Sequence, residues 1–378
     1  MITSYREDAS FLSPKDRILE AICAKLQLTT TQYKLANQHY ESVGEWLEKD
    51  NSILALYNPK IYPQGSLPMG TTNKPRGREE YDLDFVCELS IPWQNISPNE
   101  LVSKFEFRIR EHKDYASRME RKNRCIRLTY AHDFHLDIVP ACSNQRLGEG
   151  QILIPDREAQ GWRHSNSKKF IEWFDSQTMK LLIAKHLDHA EPLPKQESLE
   201  EKAPLKFAVQ LFKRYRDVAF KDTPELAPVS IVLSTLCATY YQGQESVFEA
   251  IEGILLGIAV AVEQNQGKRL EVWNPANQVP EDLGERWENQ EAYMSFVKWI
   301  KSFKALWEKL KTARGYPNIG KILEALFDEY PTKEVIREDA ERIEKLREKD
   351  RLGILPKSAI LTSQTDIIKV PNNTFYGK

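Results

Sequence analysis

Residues 64–88, QGSLPMGTTNKPRGREEYDLDFVCE, join a glycine-containing turn to an alternating strand that carries two carboxylates. Side chains that follow each other along a strand point to opposite faces of the sheet. Asp82 and Asp84 therefore share one face, and the other face is apolar, with Tyr81, Leu83 and Phe85. The pattern predicts a strand whose apolar face lies in the core and whose two carboxylates are free for chemistry.

A second strand is predicted at residues 135–139, HLDIV, with Leu136 and Ile138 on one face and Asp137 on the other. An isolated Asp-x-Asp is more often the solvated edge of a sheet, and the third carboxylate favours a functional site. Carboxylates that stand side by side repel each other unless a hard cation lies between them. Magnesium is the first candidate. Because it prefers carboxylates together with phosphate oxygens and water, a nucleoside triphosphate is the predicted partner.

The turn before the first strand suits a triphosphate. Gly65 allows a close approach of the backbone, and Ser66 adds a hydroxyl next to it. A Gly-Ser pair alone is a weak signal. Followed by an Asp-x-Asp strand, it becomes a strong one.

The order of Gly-Ser, Asp-x-Asp and a later lone Asp resembles the polymerase-beta-type nucleotidyltransferase superfamily. Within it, the chain is most similar to the cyclic GMP-AMP synthase and DncV-like enzymes, the bacterial CD-NTases of anti-phage signalling systems. Three segments carry the resemblance: QGS at 64–66, YDLD at 81–84 and LDIVP at 136–140. The spacing from Ser66 to Asp82 is long for the wider superfamily, although such enzymes often carry a longer loop here.

The resemblance implies an α+β, bilobal fold with a polymerase-beta-like nucleotidyltransferase core, a mixed β-sheet, a C-terminal helical lobe and a long N-terminal bracing helix. The implied catalytic residues hold two Mg²⁺ ions, with Mn²⁺ as an alternative, and are Asp82, Asp84 and Asp137. A lysine and a serine of the helical lobe contact the donor triphosphate in the family. By motif position, Lys206 and Ser230 correspond to this lysine and serine. The residues expected to bind the triphosphate are therefore Gln64, Gly65, Ser66, Lys206 and Ser230.

The implied activity is synthesis of a cyclic di- or trinucleotide second messenger from ATP, GTP or other nucleoside triphosphates, with release of pyrophosphate. A linear oligonucleotide synthase, or a transferase that modifies a protein, an RNA or a small molecule, remains an alternative because the same triad serves all of them. A nucleotide-sensing pseudoenzyme is a further alternative, which the complete triad disfavours. The bases, the ring size and the linkage do not follow from the sequence.

Composition limits the partners. The 378 residues are 41% hydrophobic and 29% charged, with a net charge of -2, so no basic field predicts a nucleic-acid activator. Five cysteines without C-x-x-C spacing are typical of reduced thiols. No signal peptide is recognised and the longest apolar run, 254–262, is too short for a membrane span, so we expect a cytoplasmic protein without membrane contact.

The predicted division is residues 1–155 for the core with its N-terminal helix, 156–355 for the helical lobe and 356–378 for a tail. Within the lobe, Lys213 is interpreted as a solvent-facing helix residue, and the basic segment 118–127 as a solvated charged face. The resemblance leaves two accessory partners open, a regulator and an enzyme that conjugates the C-terminus near Gly377. The final Lys378 departs from the pattern that such conjugation would need.

Overall fold

A computed structural model describes residues 13–77, 81–130, 134–144, 146, 148–178, 197–199 and 201–349. It also gives the backbone of three two-residue strands near the C-terminus, β8 (Gly353–Ile354), β9 (Leu361–Thr362) and β10 (Ile368–Lys369). The rest of the predicted tail, with Gly377 and Lys378, lies outside the described residues. The described part contains one large sheet and one large group of helices, which is the predicted α+β class.

The large sheet has seven strands, five of which follow the order β1-β2-β5-β4-β3. These are β1 (Lys60–Gln64), β2 (Tyr81–Leu89), β3 (Met119–Arg121), β4 (Ile126–Tyr130) and β5 (Phe134–Ser143). β2 and β5 are parallel, whereas β1 with β2, and β4 with both β3 and β5, are antiparallel. β6 (Ile152–Asp156) and β7 (Gly161–Ser165) extend the sheet from the end of β5. The predicted mixed sheet is therefore present.

The alternation of β2 explains how it sits in the sheet. Tyr81, Leu83 and Phe85 are at most 5% exposed, and they pack with α2 (Thr30–Glu48) and α3 (Pro98–Arg110). Each such apolar side chain contributes about 1.5–3 kcal/mol when it is fully buried. Thr29 caps α2 through a capping box. The opposite face of β2 is thereby left to the carboxylates.

The second group consists of helices around one apolar cluster. It is formed by α1 (Pro14–Leu26), α5 (Ser167–Thr178), α6 (Pro204–Ala219), α7 (Ser230–Tyr240), α8 (Val247–Gln264), α9 (Gln290–Thr312), α10 (Tyr316–Phe327) and α11 (Glu329–Glu348). A further short helix, α4 (Lys113–Arg118), lies before β3. α9 carries an apolar stripe whose members are all buried: Tyr293, Phe296, Ile300, Phe303, Trp307 and Leu310.

Two elements do not follow the predicted division at residue 155. α1 packs into the helical cluster through Ile18, Leu19 and Ile22, whereas α2 packs on the sheet. β7 comes after the predicted boundary and still pairs with β6 of the sheet. The chain thus enters the helical group, crosses to the sheet and returns. None of the helices in the described part of the chain combines the length and the apolarity of a membrane span.

Candidate active site

The turn after β1 lies against one carboxylate of β2. Gly65 has a φ of +74°, a value that glycine adopts readily and other residues rarely. A Cβ at this position would lie 2.6 Å from Oδ2 of Asp84. The turn is closed by the Thr71 amide, which donates to the Ser66 carbonyl over 2.9 Å. Two features therefore favour glycine at position 65: the positive φ of the backbone and the lack of room for a Cβ beside Asp84.

Four side chains form a row across four neighbouring strands. Gln64 of β1 is the register partner of Asp84 of β2, Asp84 is that of Asp137 of β5, and Asp137 is that of Arg127 of β4. Register partners in a sheet project from the same face. Asp82 lies two residues before Asp84 and so joins this face. The structure thus brings the three predicted carboxylates together, as the alternation predicts.

Arg127 links two of these carboxylates. Its Nε and Nη2 each donate to one oxygen of Asp137 over 2.7 Å, and Nη2 also donates to Oδ1 of Asp82 over 3.1 Å. The hydrogen bonds to Asp137 raise the pKa of the Arg127 guanidinium above its ordinary value. Asp137 is buried, and the side chain of Asp82 is 57% exposed. The expectation that segment 118–127 is only a solvated charged face is wrong at this residue.

The remaining carboxylate, Asp84, is half-buried and is repelled by the other two carboxylates. Burial, followed by the negative charges of Asp137 and Asp82, raises the pKa of Asp84 to about 8. Arg127 and Lys213 offset only part of this effect. A divalent cation next to Asp84 would relieve the repulsion, and three carboxylates are the oxygen donors that Mg²⁺ and Mn²⁺ accept. The donor set therefore fits the predicted metal, although within the described residues no three such side chains already stand in a ligating arrangement.

A cleft of about 490 Å³ is lined by Gln64 and Asp84 of this row and has walls from both groups of elements. That volume is typical of small-molecule sites. The sheet side contributes Gln64, Gly65, Ser66, Asp82 and Asp84. The helical side and its loops contribute Asn166, Lys213, Arg216, Ser230, Ser234 and Asn274. The sheet and the helical group therefore share one cavity.

Lys213 faces this cleft from α6, and its interpretation as a solvent-facing lysine is wrong. The side chain is buried, and its Nζ donates to the carbonyl and the hydroxyl of Thr71, each over 3.2 Å. Burial, with the positive charge of Arg216 as the next cause, lowers the pKa of Lys213 to about 7. The reason for the error is that residues 205–215 of α6 are all buried, so this helix has no solvent face there.

Lys206 lies two helical turns earlier, about 10 Å along the axis. It lines a separate, smaller pocket with Gly70, and its Nζ pairs with Glu197 over 2.7 Å and with Asp175 over 3.2 Å. The structure therefore does not bring Lys206 into the cleft with the carboxylates. Ser230 does line the cleft, and its Oγ accepts a hydrogen bond from Arg216 over 2.9 Å.

The segment after the turn is fixed to α6 by hydrogen bonds. Asn73 donates to the Gln210 carbonyl over 2.8 Å, and Gln210 in turn donates to the Thr72 carbonyl over 2.7 Å. Arg214 donates to the Lys74 carbonyl over 2.6 Å. These contacts connect the segment after the Gly65 turn with α6, the helix that carries Lys213. These hydrogen bonds therefore fix the position of one wall of the cleft relative to the other.

The polar cleft residues that sequence reasoning missed include Lys213, Arg216 and Ser234. It also missed Arg127, which pairs with the carboxylate of Asp137. Ser234 is buried, and among the described residues its Oγ has no hydrogen-bond partner. A polar side chain in the apolar run of α7 was the available signal for Ser234. The dense burial pattern of α6 was the signal for Lys213, whereas Arg127 depends on strand register and left no local signal.

The chain is similar to known second-messenger synthases. Residues 15–177 match the Second Messenger Oligonucleotide or Dinucleotide Synthetase domain. A c-di-GMP synthase of Roseivirga ehrenbergii is 33% identical over 367 residues, which cover 95% of this chain and 97% of that protein. The cyclic dinucleotide synthase CdnG of Bradyrhizobium diazoefficiens is 29% identical over 250 residues, covering 61% of this chain and 59% of the relative.

Solved structures give the same picture. The Bradyrhizobium diazoefficiens CD-NTase CdnG in complex with GTP superposes with a TM-score of 0.71 at 26% identity, covering 86% of this chain and 99% of that one. The GTP-analogue complex of Escherichia coli DncV, in its 3'-deoxy GTP bound form, has a TM-score of 0.56 at 15% identity and covers 85% of this chain and 88% of its own. The second likeness supports the fold alone.

Proposed function

We propose that this chain, which belongs to the CD-NTase family of nucleotidyltransferases, makes a cyclic dinucleotide from GTP alone. Synthesis of a cyclic oligonucleotide second messenger from nucleoside triphosphates is the activity of the chain. The proposal adds the base and the ring size. The observation that carries it is the 33% identity to a c-di-GMP synthase, because this identity spans 95% of the chain and so includes both walls of the cleft.

The metal is part of the proposal. Asp82, Asp84 and Asp137 would hold two Mg²⁺ ions, or Mn²⁺ in their place, because they supply clustered oxygen donors beside a cavity. When bound, such ions lower the pKa of an acceptor hydroxyl and neutralise charge on a triphosphate and on departing pyrophosphate. Support comes from the raised pKa of Asp84, about 8, which reflects burial together with the negative charges of Asp137 and Asp82.

The other cleft residues would bind and orient the donor nucleotide. Gly65 lies beside Asp84, and Ser66 lines the same cleft. Lys213 and Ser230 line it from the helices. Held between these groups, the triphosphate would present its α-phosphorus to the acceptor hydroxyl oxygen. A P–O bond would then form as the bond to pyrophosphate breaks and the acceptor hydroxyl loses its proton to water, and alignment of the attacking and leaving oxygens lowers the barrier.

Lys206 remains a predicted triphosphate ligand from the sequence, and Lys213 is the better candidate from the structure. The Nζ of Lys213 lies over the loop that follows Ser66, whereas the Nζ of Lys206 already pairs with two carboxylates in another pocket. A role of the product in anti-phage signalling, which the family resemblance implies, also remains a proposal. Loss of phage resistance on deletion of the gene would test it.

The experiment that tests the proposed function is incubation of the purified protein with each labelled nucleoside triphosphate and Mg²⁺, alone and in pairs. Product mass and resistance to phosphatase are then measured, because a cyclic product has no terminal phosphate. We expect a phosphatase-resistant product of two guanylate units from GTP alone. A product that requires ATP, CTP or UTP would overturn the guanine assignment. Asp82→Ala combined with Asp84→Ala should abolish turnover while thermal unfolding stays cooperative.

A further inference from the structure

The guanidinium of Arg127 lies between the carboxylates of Asp82 and Asp137 and supplies a positive charge to both. Its two hydrogen bonds to Asp137 are short, at 2.7 Å each, and involve a carboxylate that is 6% exposed. Its hydrogen bond to Asp82 is longer, at 3.1 Å, and reaches a side chain that is 57% exposed. The contact of Arg127 with Asp137 is therefore the stronger of the two.

The contact with Asp137 is a bidentate pair in a buried place, and such charge-assisted pairs are strong and directional. The contact with Asp82 is a single bond near solvent, where an ion pair contributes little and exchanges easily. Each carboxylate oxygen has two lone pairs, so Asp137 can keep both bonds to Arg127 and still bind a cation. Asp82 can turn away from Arg127 without leaving a buried charge unpaired.

The positive charge of Arg127 opposes a divalent cation that approaches the same oxygens. Without nucleotide, a cation must therefore compete with Arg127 for Asp82. With nucleotide, the negative triphosphate outweighs this repulsion and supplies further oxygen ligands. The free protein should therefore bind a divalent cation weakly, and the protein with bound nucleotide should bind it much more tightly.

We propose that Arg127 is a positioning residue that keeps Asp137 oriented at all times and holds Asp82 until a cation arrives with the nucleotide. The inference rests on the proposed metal site formed by Asp82, Asp84 and Asp137. It adds a device that makes loading of that site conditional on nucleotide. The register of β4 on β5, which places Arg127 opposite Asp137, is what builds this device into the fold.

The test measures Mn²⁺ affinity of the full-length protein directly, by electron paramagnetic resonance, with and without a non-hydrolysable GTP analogue. In wild type, the analogue should tighten Mn²⁺ binding at least tenfold. Arg127→Gln should bind Mn²⁺ at least tenfold more tightly than wild type when no nucleotide is present. A gain of less than threefold, or a loss of affinity, would overturn the proposal.

Two further variants separate charge from geometry. Arg127→Lys keeps the positive charge and loses the planar fork, so nucleotide-free Mn²⁺ affinity should stay within threefold of wild type while turnover falls at least tenfold. Arg121→Gln is the matched control, because it removes one positive charge from the neighbouring strand, where Arg121 contacts Asn99 instead of the triad. It should change neither quantity. If it tightens Mn²⁺ binding as much as Arg127→Gln does, net charge and not position is the cause, and the proposal fails.

Failure of the metal site itself has a different signature. If wild type binds no Mn²⁺ even with the GTP analogue, the assignment of Asp82, Asp84 and Asp137 as ligands is wrong. If wild type binds Mn²⁺ with the analogue and Arg127→Gln behaves as wild type does, the metal site stands and the role of Arg127 is wrong.

Discussion

Gly65 and Asp84 approach so closely that a single added carbon on Gly65 would lie 2.6 Å from the Asp84 carboxylate oxygen Oδ2. The turn at Gly65 and the carboxylate of Asp84 are therefore packed directly against each other. A side chain at position 65 would push Asp84 out of the row that it forms with Asp137. The geometry of the turn thus sets the geometry of the site.

Gly65→Ala should lower turnover at least 100-fold, because it displaces Asp84. This loss corresponds to an increase of about 2.7 kcal/mol in the activation free energy, at about 1.36 kcal/mol for each factor of ten. Gly77→Ala is the matched control, because Gly77 also has a positive φ, +61°, and a Cβ there would meet nothing within 4 Å. Both substitutions carry the same kind of backbone strain. Product formation and thermal unfolding of the two variants are compared. Equal turnover in the two would mean that the contact with Asp84 does not matter.

Lys213→Met should raise the KM for GTP at least tenfold, because a hydrogen bond to a charged phosphate group contributes about 1.5–3 kcal/mol. Lys206→Met is the control from the same helix, and we expect less than a threefold change because Lys206 pairs with Glu197 and Asp175 in a separate pocket. Steady-state kinetics of both variants decide between them. The reverse order would return the phosphate-binding role to Lys206.

Binding of a GTP analogue should weaken as the pH rises from 7 to 9. Burial lowers the pKa of Lys213 to about 7, so in the free protein this side chain has mostly lost its proton above that pH. A triphosphate favours the charged lysine, hence binding requires uptake of a proton. Affinity then falls by up to tenfold per pH unit. Calorimetric titration in buffers of different ionisation enthalpy measures the uptake, and Lys213→Met should remove it.

The stability of the metal-free protein should contain a contribution that falls between about pH 4 and pH 8. The folded state holds the pKa of Asp84 at about 8 against an ordinary value of 3.8, because of burial and neighbouring charge. The folded state therefore binds more protons than the unfolded state over this window, and its stability declines with pH by at most about 1.4 kcal/mol per unit.

Denaturant unfolding in EDTA across this pH range measures the decline. Asp84→Asn removes the titrating group, so the difference in unfolding free energy between variant and wild type should widen as the pH rises. A constant difference would contradict the shifted pKa. Addition of Mg²⁺ with a GTP analogue should flatten the wild-type curve, since the cation then compensates the charged Asp84.

The clustering of the three carboxylates was predictable from the sequence because a strand repeats every two residues. That short period places Asp82 and Asp84 on one face without any knowledge of the tertiary structure. Asp137 followed from the same alternation on a second strand. Motif position on a helix is less secure, since a shift of two turns exchanges Lys206 for Lys213. Arg127 meets Asp137 only through the pairing of β4 with β5, and no local pattern encodes which residues of two strands become partners.

The route of the chain through the fold has a consequence for how such enzymes can diverge. The matched domain, residues 15–177, contains α1, whose apolar face is covered by helices from beyond that range, and it lacks Lys213 and Ser230. Cut out alone, this piece would expose an apolar helix and present half of a nucleotide pocket. A helical half from a relative could replace the native one only if it matched both α1 and the loop after Ser66. The cleft is therefore a property of the whole chain, and neither half forms it alone.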